Sequence, residues 1–194
     1  METNSSTLPF KSEIQRKLIH LLSIFYPILY YFTDSNTTLN FLILSFFIIS
    51  VIEYIKKKYT LNGFPLNIIL KFMRKYEHHK FMGASFMIFG FIVITLFFNK
   101  EIVILSMLIT VIADSTAALL GMKYGKVKTF HERTLEGSFC FALSTFIIFT
   151  MNSITLYLAL LLSVTIALVE LFTKTEYDNL SIPIASSLIL YFML

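Results

Sequence analysis

Asp114 lies inside an apolar run, residues 102–120, and a basic loop punctuated by glycine follows at once. A carboxylate within a membrane span costs about 2.5–3.5 kcal/mol on insertion scales, so such a residue marks a functional site by default. The next stretch reads Gly121-Met-Lys123-Tyr-Gly125-Lys126-Val-Lys128-Thr129-Phe-His131-Glu132-Arg133-Thr134-Leu135-Glu136-Gly137-Ser138. Lys123, Lys126, Lys128 and Arg133 can neutralise a triphosphate. Gly121, Gly125 and Gly137 allow the backbone to approach phosphates closely. An acid beside such a loop suits the holding of a metal–nucleotide at a membrane edge. No Gly-x-x-x-x-Gly-Lys-[Ser/Thr] segment is present, so this is not a P-loop.

Other polar residues recur in the same pattern. Glu13, Arg16 or Lys17, and His20 share one face of a helix. The plain alternative is a solvated helix end whose cations snorkel to headgroups. Glu53 precedes Lys56, Lys57 and Lys58 and can pair with Lys57 one turn on. Glu170 stands near the end of an apolar run, and Asp178-Asn179 before Pro183 reads as a turn and helix start. Residues 64–80 carry an apolar stripe, Ile68, Ile69, Phe72, Met73 and Tyr76, opposite basic residues. That pattern predicts an amphipathic helix on the inner leaflet.

These residues need elements to hold them, and the composition says which. The 194-residue chain is 56% hydrophobic and 14% charged, where a soluble domain carries about a quarter charged residues. Seven apolar runs read as spans: 18–32, 39–55, 81–98, 102–120, 138–151, 154–172 and 182–194. Three of them are short of the roughly 20 residues a spanning helix wants. With the N-terminus in the cytoplasm, seven crossings place 15 of the 16 basic residues inside, leaving only Lys100 outside. Asp114, Glu136, Glu170 and Asp178 then fall at one depth, on the side of the cations. The expected fold is an all-α polytopic membrane bundle of about seven helices forming one domain, 1–194, with a cytoplasmic nucleotide-binding loop at 121–137. The first apolar run lacks a small-residue cleavage site, so it reads as a span and not a cleaved signal. The single cysteine, Cys140, excludes an internal disulfide.

With those residues in hand, the chain resembles the polyprenol kinase family, which includes dolichol kinase, phytol kinase and the CTP-dependent diacylglycerol kinases. The resemblance runs in order through Glu13-x-x-Arg16-Lys17-x-x-His20, Asp114-Ser-Thr-Ala117-Ala118, Gly121-x-x-x-Gly125, Arg133-Thr134-x-Glu136-Gly137-Ser138 and Asp178-Asn179-x-x-Ile182-Pro183. Arg133 stands where the family usually has Lys, which keeps the charge but changes the shape of the contact. The resemblance implies phosphoryl transfer from CTP, or another nucleotide, to the hydroxyl of a polyprenol, phytol or diacylglycerol-like lipid, with Mg²⁺ as the expected cofactor. It implies Asp114, Glu136 and Asp178 as catalytic residues, with Asp114 and Asp178 holding the metal. Gly121, Lys123, Gly125, Lys126, Lys128, Arg133, Thr134, Gly137 and Ser138 would bind nucleotide. Glu13, Arg16, Lys17, His20, Glu170 and Asn179 would support these or contact substrate. The partners expected are a lipid alcohol, a nucleoside triphosphate and the bilayer, with no nucleic acid. The setting is a prokaryotic inner membrane, or the endoplasmic reticulum in a eukaryote, with the site on the cytoplasmic face. Two rivals are a CDP-lipid synthase, whose Lys-Asp…Pro-Gly-His-Gly-Gly-like segment is missing, and a non-enzymatic membrane protein or small transporter, which would place its polarity near the midplane.

Overall fold

In a computed structural model, which describes residues 10–58 and 82–194, the described part of the protein is built of helices and contains no strand. Of residues 11, 12, 56–58 and 132 only the backbone is described. The predicted amphipathic helix at 64–80 and the Lys56–Lys58 side chains therefore lie outside the described residues.

Seven helical columns coincide with the seven apolar runs. The first is α1 (Phe10–Leu21) continued through a 3₁₀ turn (Leu22–Ile24) into α2 (Phe25–Phe32). Pro27 follows that turn and lacks the N–H an α-helix would use there. Then come α3 (Ser35–Lys58) and α4 (Gly83–Phe97). The fourth column joins α5 (Lys100–Leu108), a π-helical turn (Ile109–Ala113) and α6 (Asp114–Tyr124). The last three are α7 (Leu135–Met151), α8 (Leu156–Phe172) and α9 (Asp178–Met193). Two stretches, Ser35–Ile55 and Lys100–Tyr124, are long and apolar enough to cross a membrane by length and composition, while Gly83–Phe97, Leu135–Met151 and Leu156–Phe172 are shorter apolar helices.

Polar residues fix several of the helix ends. The Asp34 carboxylate accepts from the backbone N–H of Asn36 at 3.0 Å and Thr37 at 3.2 Å, opening α3. The Asn99 side chain accepts from the Ile102 N–H at 3.1 Å and opens α5. The Lys100 ammonium donates to the carbonyls of Tyr31 and Thr33 at 3.0 and 2.8 Å, closing α2 as a cation should at a helix C-terminus.

The fourth column is the spine. Ile102, Leu105, Ile109, Ala113 and Ala117 recur at helical spacing and pack with Phe141, Phe149, Leu162, Ile166 and Leu190 of α7, α8 and α9. Val103, Met107 and Val111, on the other side, pack with Tyr30, Leu42, Phe91 and Ile94 of α2, α3 and α4. Apolar side chains also cover the outside of the bundle. Phe32, Phe47, Phe97, Leu156 and Phe192 are among many that are exposed, a surface suited to lipid and far larger than a soluble monomer carries. Close packing and polar links join the columns. Gly90 supplies one such contact: a Cβ there would sit 3.0 Å from Pro183 Cγ, so the glycine lets α4 lie against α9.

Candidate active site

Four columns and one loop bring their charged groups together at one end of the bundle. From α1 come Glu13, Arg16, Lys17 and His20. The Arg16 guanidinium donates to both Glu13 carboxylate oxygens, at 2.5 and 3.0 Å. Lys17 turns the other way and donates to Asp114 at the start of α6, with both side chains buried. His20, one turn on, lies with Nε2 at 3.2 Å from the Thr110 carbonyl and 3.7 Å from the Asp114 carboxylate. The i, i+3 spacing read from the sequence does place Glu13, Lys17 and His20 on one buried face, while Leu18, Ile19 and Leu22 face outward.

Arg133 makes the second knot. Its Nη1 pairs with Glu170 of α8, its Nη2 lies 3.8 Å from Asp178 of α9, and its Nε donates to the Thr173 carbonyl at 3.3 Å. A planar fork serves two acceptors and faces a second carboxylate at once, which a lysine ammonium on a flexible stem does poorly. Ser138 donates to the other Glu170 oxygen at 3.0 Å. Asp178 accepts from the Asn179 N–H at 2.7 Å, and the Asn179 amide donates to the Gly83 carbonyl at 3.0 Å, tying α9 to the start of α4. That start is capped from α3. Glu53 accepts from the Met82 N–H at 2.5 Å and from the Ser85 hydroxyl at 2.8 Å. Glu53 thus acts as a helix cap, whose N–H donors and macrodipole favour a carboxylate, while the Lys57 side chain suggested as its partner lies outside the described residues.

The glycines serve packing in this arrangement. A Cβ on Gly125 would lie 2.2 Å from the Gly121 carbonyl and 2.5 Å from the Thr134 methyl, and one on Gly121 would lie 2.8 Å from Thr134 Oγ1. Gly137 meets the Ala117 carbonyl at 3.0 Å in the same way. The three glycines seat α6 on α7, with Thr134 as the peg between them. Thr134 is also the N-cap of α7, accepting from the Gly137 N–H at 3.2 Å.

Because α6 continues through Gly121 to Tyr124 and α7 begins at Leu135, the connecting loop is 125–134, shorter than the predicted 121–137. One antiparallel bridge, Lys128 with Thr134, and a bond from the Leu135 N–H to the Val127 carbonyl at 2.9 Å fold it back on itself. His131 turns the chain with φ 53°, a conformation that costs a side-chain-bearing residue energy. Lys123, Lys126 and Lys128 point from this rim and are exposed. Glu136 is set on the loop backbone, with both its oxygens 3.4 Å from the Val127 N–H. The backbone N–H groups of Glu136 and Lys126 hold its carboxyl below the usual glutamate range.

The two acids predicted to hold a metal face cations in this arrangement. Among the described residues no three His, Cys, Asp or Glu side chains lie close enough to hold an ion. Asp114 is taken by Lys17, and Asp178 faces Arg133. Asp114 has Lys17 to itself, whereas Asp178 shares Arg133 with Glu170.

Sequence reasoning missed the π-helical turn and the Thr110 carbonyl, and nothing in Ile109-Thr-Val-Ile-Ala113 signals either. It also missed the Thr173 carbonyl as an Arg133 partner, a contact between segments 40 residues apart.

The chain is 31% identical over 193 residues to the uncharacterized protein RP860 of Rickettsia prowazekii, covering 92% of this chain and 93% of that protein. This chain belongs to the same family as the Rickettsia protein. It is also 31% identical over 134 residues, 66% of its length, to CTP-dependent diacylglycerol kinase 1 of Saccharomyces cerevisiae. That match covers 46% of the yeast protein, so the chain spans about half the length of this relative. No family model matches, and no solved structure matches.

Proposed function

We propose that this protein is a membrane lipid kinase that moves a phosphoryl group from CTP to the hydroxyl of a lipid alcohol. The observation that carries the reading is the charge layer of buried Lys17, Asp114, Glu170 and Asp178 with half-buried Arg133, drawn from five segments of a largely apolar bundle. A layer that costly is retained where it does chemistry. The partial match to a CTP-dependent diacylglycerol kinase favours CTP as donor and a lipid alcohol as acceptor.

Phosphoryl transfer asks for positioning and charge neutralisation more than covalent chemistry. In this reading the exposed Lys123, Lys126 and Lys128 gather the triphosphate at the rim. Arg16 and Lys17 present positive charge to the transferring group, and Asp114 fixes the Lys17 ammonium by its buried bond. Arg133 holds α7, α8 and α9 in register through Glu170, Asp178 and Thr173. Glu136 keeps the loop folded through its backbone. Magnesium enters as part of the nucleotide substrate. The lipid hydroxyl reaches the layer from the apolar surface, its tail remaining in the membrane.

The proposed topology has seven crossings, a cytoplasmic N-terminus and the charge layer at the cytoplasmic rim, as the one-sided distribution of cations favours. The test is purified protein in detergent with CTP, ATP or UTP and a panel of polyprenol, phytol and diacylglycerol. Phospholipid and CDP as products support the reading. CDP-lipid with pyrophosphate, or no turnover with any acceptor, would overturn it.

A further inference from the structure

The spine changes helical type immediately before Asp114. In an α-helix the Asp114 N–H would bond the carbonyl four residues back, that of Thr110. Here it bonds the Ile109 carbonyl, five back, which is the mark of a π-turn. One residue more per turn rotates everything beyond it by about 100°. Asp114 therefore faces α1 because of this turn, and the Thr110 carbonyl loses its customary partner.

His20 takes that partner's place. Its Nε2 lies 3.2 Å from the Thr110 carbonyl, and both groups are buried. A carbonyl can only accept, so Nε2 carries the hydrogen. The neighbouring carbonyls are served locally: the Ser115 hydroxyl donates to Val111 at 2.6 Å and the Thr116 hydroxyl to Ala113 at 2.9 Å. Of these three carbonyls, that of Thr110 is the one met by a side chain from another column. His20 stands one turn from Lys17 on the same face of α1, so one helix face contributes both the latch on the π-turn and the ammonium bonded to Asp114.

We propose that His20 is a positioning residue. By donating to the carbonyl that the π-turn releases, it locks α1 against the spine in the register that brings Lys17 onto Asp114. The inference rests on the kinase reading only for its kinetic arm, because the lock itself can be observed without turnover.

The experiment uses the full chain in detergent and two substitutions. His20→Gln keeps an N–H the same number of bonds from the backbone, and His20→Leu removes the donor. Acylation of Lys17 by an amine-reactive reagent, read by mass spectrometry, reports whether the ammonium is still sheltered. In His20→Leu we expect Lys17 to be labelled about tenfold faster, with kcat lowered about thirtyfold and the nucleotide KM within about threefold of wild type. In His20→Gln both labelling and kcat should return to within about fivefold of wild type. Wild-type labelling in His20→Leu would overturn the proposal, as would a His20→Gln protein as exposed as His20→Leu. If His20→Leu does not accumulate, His20→Gln decides alone: a sheltered Lys17 supports the latch and an exposed one refutes it. If the wild type phosphorylates no lipid, the kinase reading falls and the labelling arm still decides on His20.

Discussion

Lys17 and Asp114 are separated by 97 positions in the chain and form one buried ion pair between α1 and the spine. Neither charge is tolerable there alone. Removing one partner of a buried pair costs about 3–5 kcal/mol, because the other is left uncompensated in a poor solvent.

Lys17→Met and Asp114→Asn should therefore each destabilise the protein by that order, and each should lower phosphoryl transfer at least about a hundredfold, or roughly 3 kcal/mol at the transition state. The double variant should recover much of the stability, since neither charge is stranded, and none of the activity. Thermal unfolding in detergent and turnover, measured on the same preparations, separate the two effects. A double variant that regains turnover would make the pair purely structural.

Arg133→Lys should be harmful although the charge is kept. A lysine cannot span Glu170, Asp178 and the Thr173 carbonyl together. Hydrogen bonds to charged groups contribute about 1.5–3 kcal/mol each, so loss of one or two should lower the unfolding midpoint measurably. An unchanged midpoint would show that the fork adds nothing over a point charge.

Gly125→Ala should separate α6 from α7, because the added methyl meets the Gly121 carbonyl and Thr134 well inside contact distance. Overpacking of this kind costs about 1–3 kcal/mol. Gly90→Ala, whose Cβ would meet Pro183 at 3.0 Å, should be milder. Unfolding midpoints of the two variants check the order, and equal midpoints would contradict the packing role assigned to Gly125.

Glu136 should make the loop sensitive to acid. Backbone N–H groups hold its carboxyl below the ordinary range, so the folded loop favours the ionised form. That contribution is fully present above the ordinary glutamate range and is lost as pH falls through the lowered folded value. Hydrogen exchange at the Val127 amide, corrected for its intrinsic rate, should lose protection on acidification below the ordinary glutamate range. Glu136→Gln should lack protection already at neutral pH, and a pH-independent Val127 in the wild type would contradict this account.

Much of the architecture was legible because apolar runs are local signals. Each of the seven runs coincides with a helical column, and the polar residues flanking them extend helices, as Phe10–Leu21 shows at the start. The face shared by Glu13, Lys17 and His20 follows from helical spacing alone. Which acid meets which cation was not legible, because Lys17–Asp114 and Arg133–Glu170 join segments distant in the chain. Asp114 and Asp178 read as metal ligands when only their types and positions are known. Once Lys17 and Arg133 are in place, both acids already have counter-ions. The glycines were ambiguous for a related reason: a residue without a side chain can admit a phosphate or another helix. Here the neighbour is Thr134.

The most direct measurement is the fate of the label in CTP. Protein is incubated with a lipid alcohol and CTP carrying radioactive phosphorus at either the γ or the α position, beside the Lys17→Met/Asp114→Asn variant at matched stability. The account predicts label in the lipid from γ-labelled CTP only, and none with the variant. Transfer from α-labelled CTP, or wild-type transfer by the variant, would contradict it.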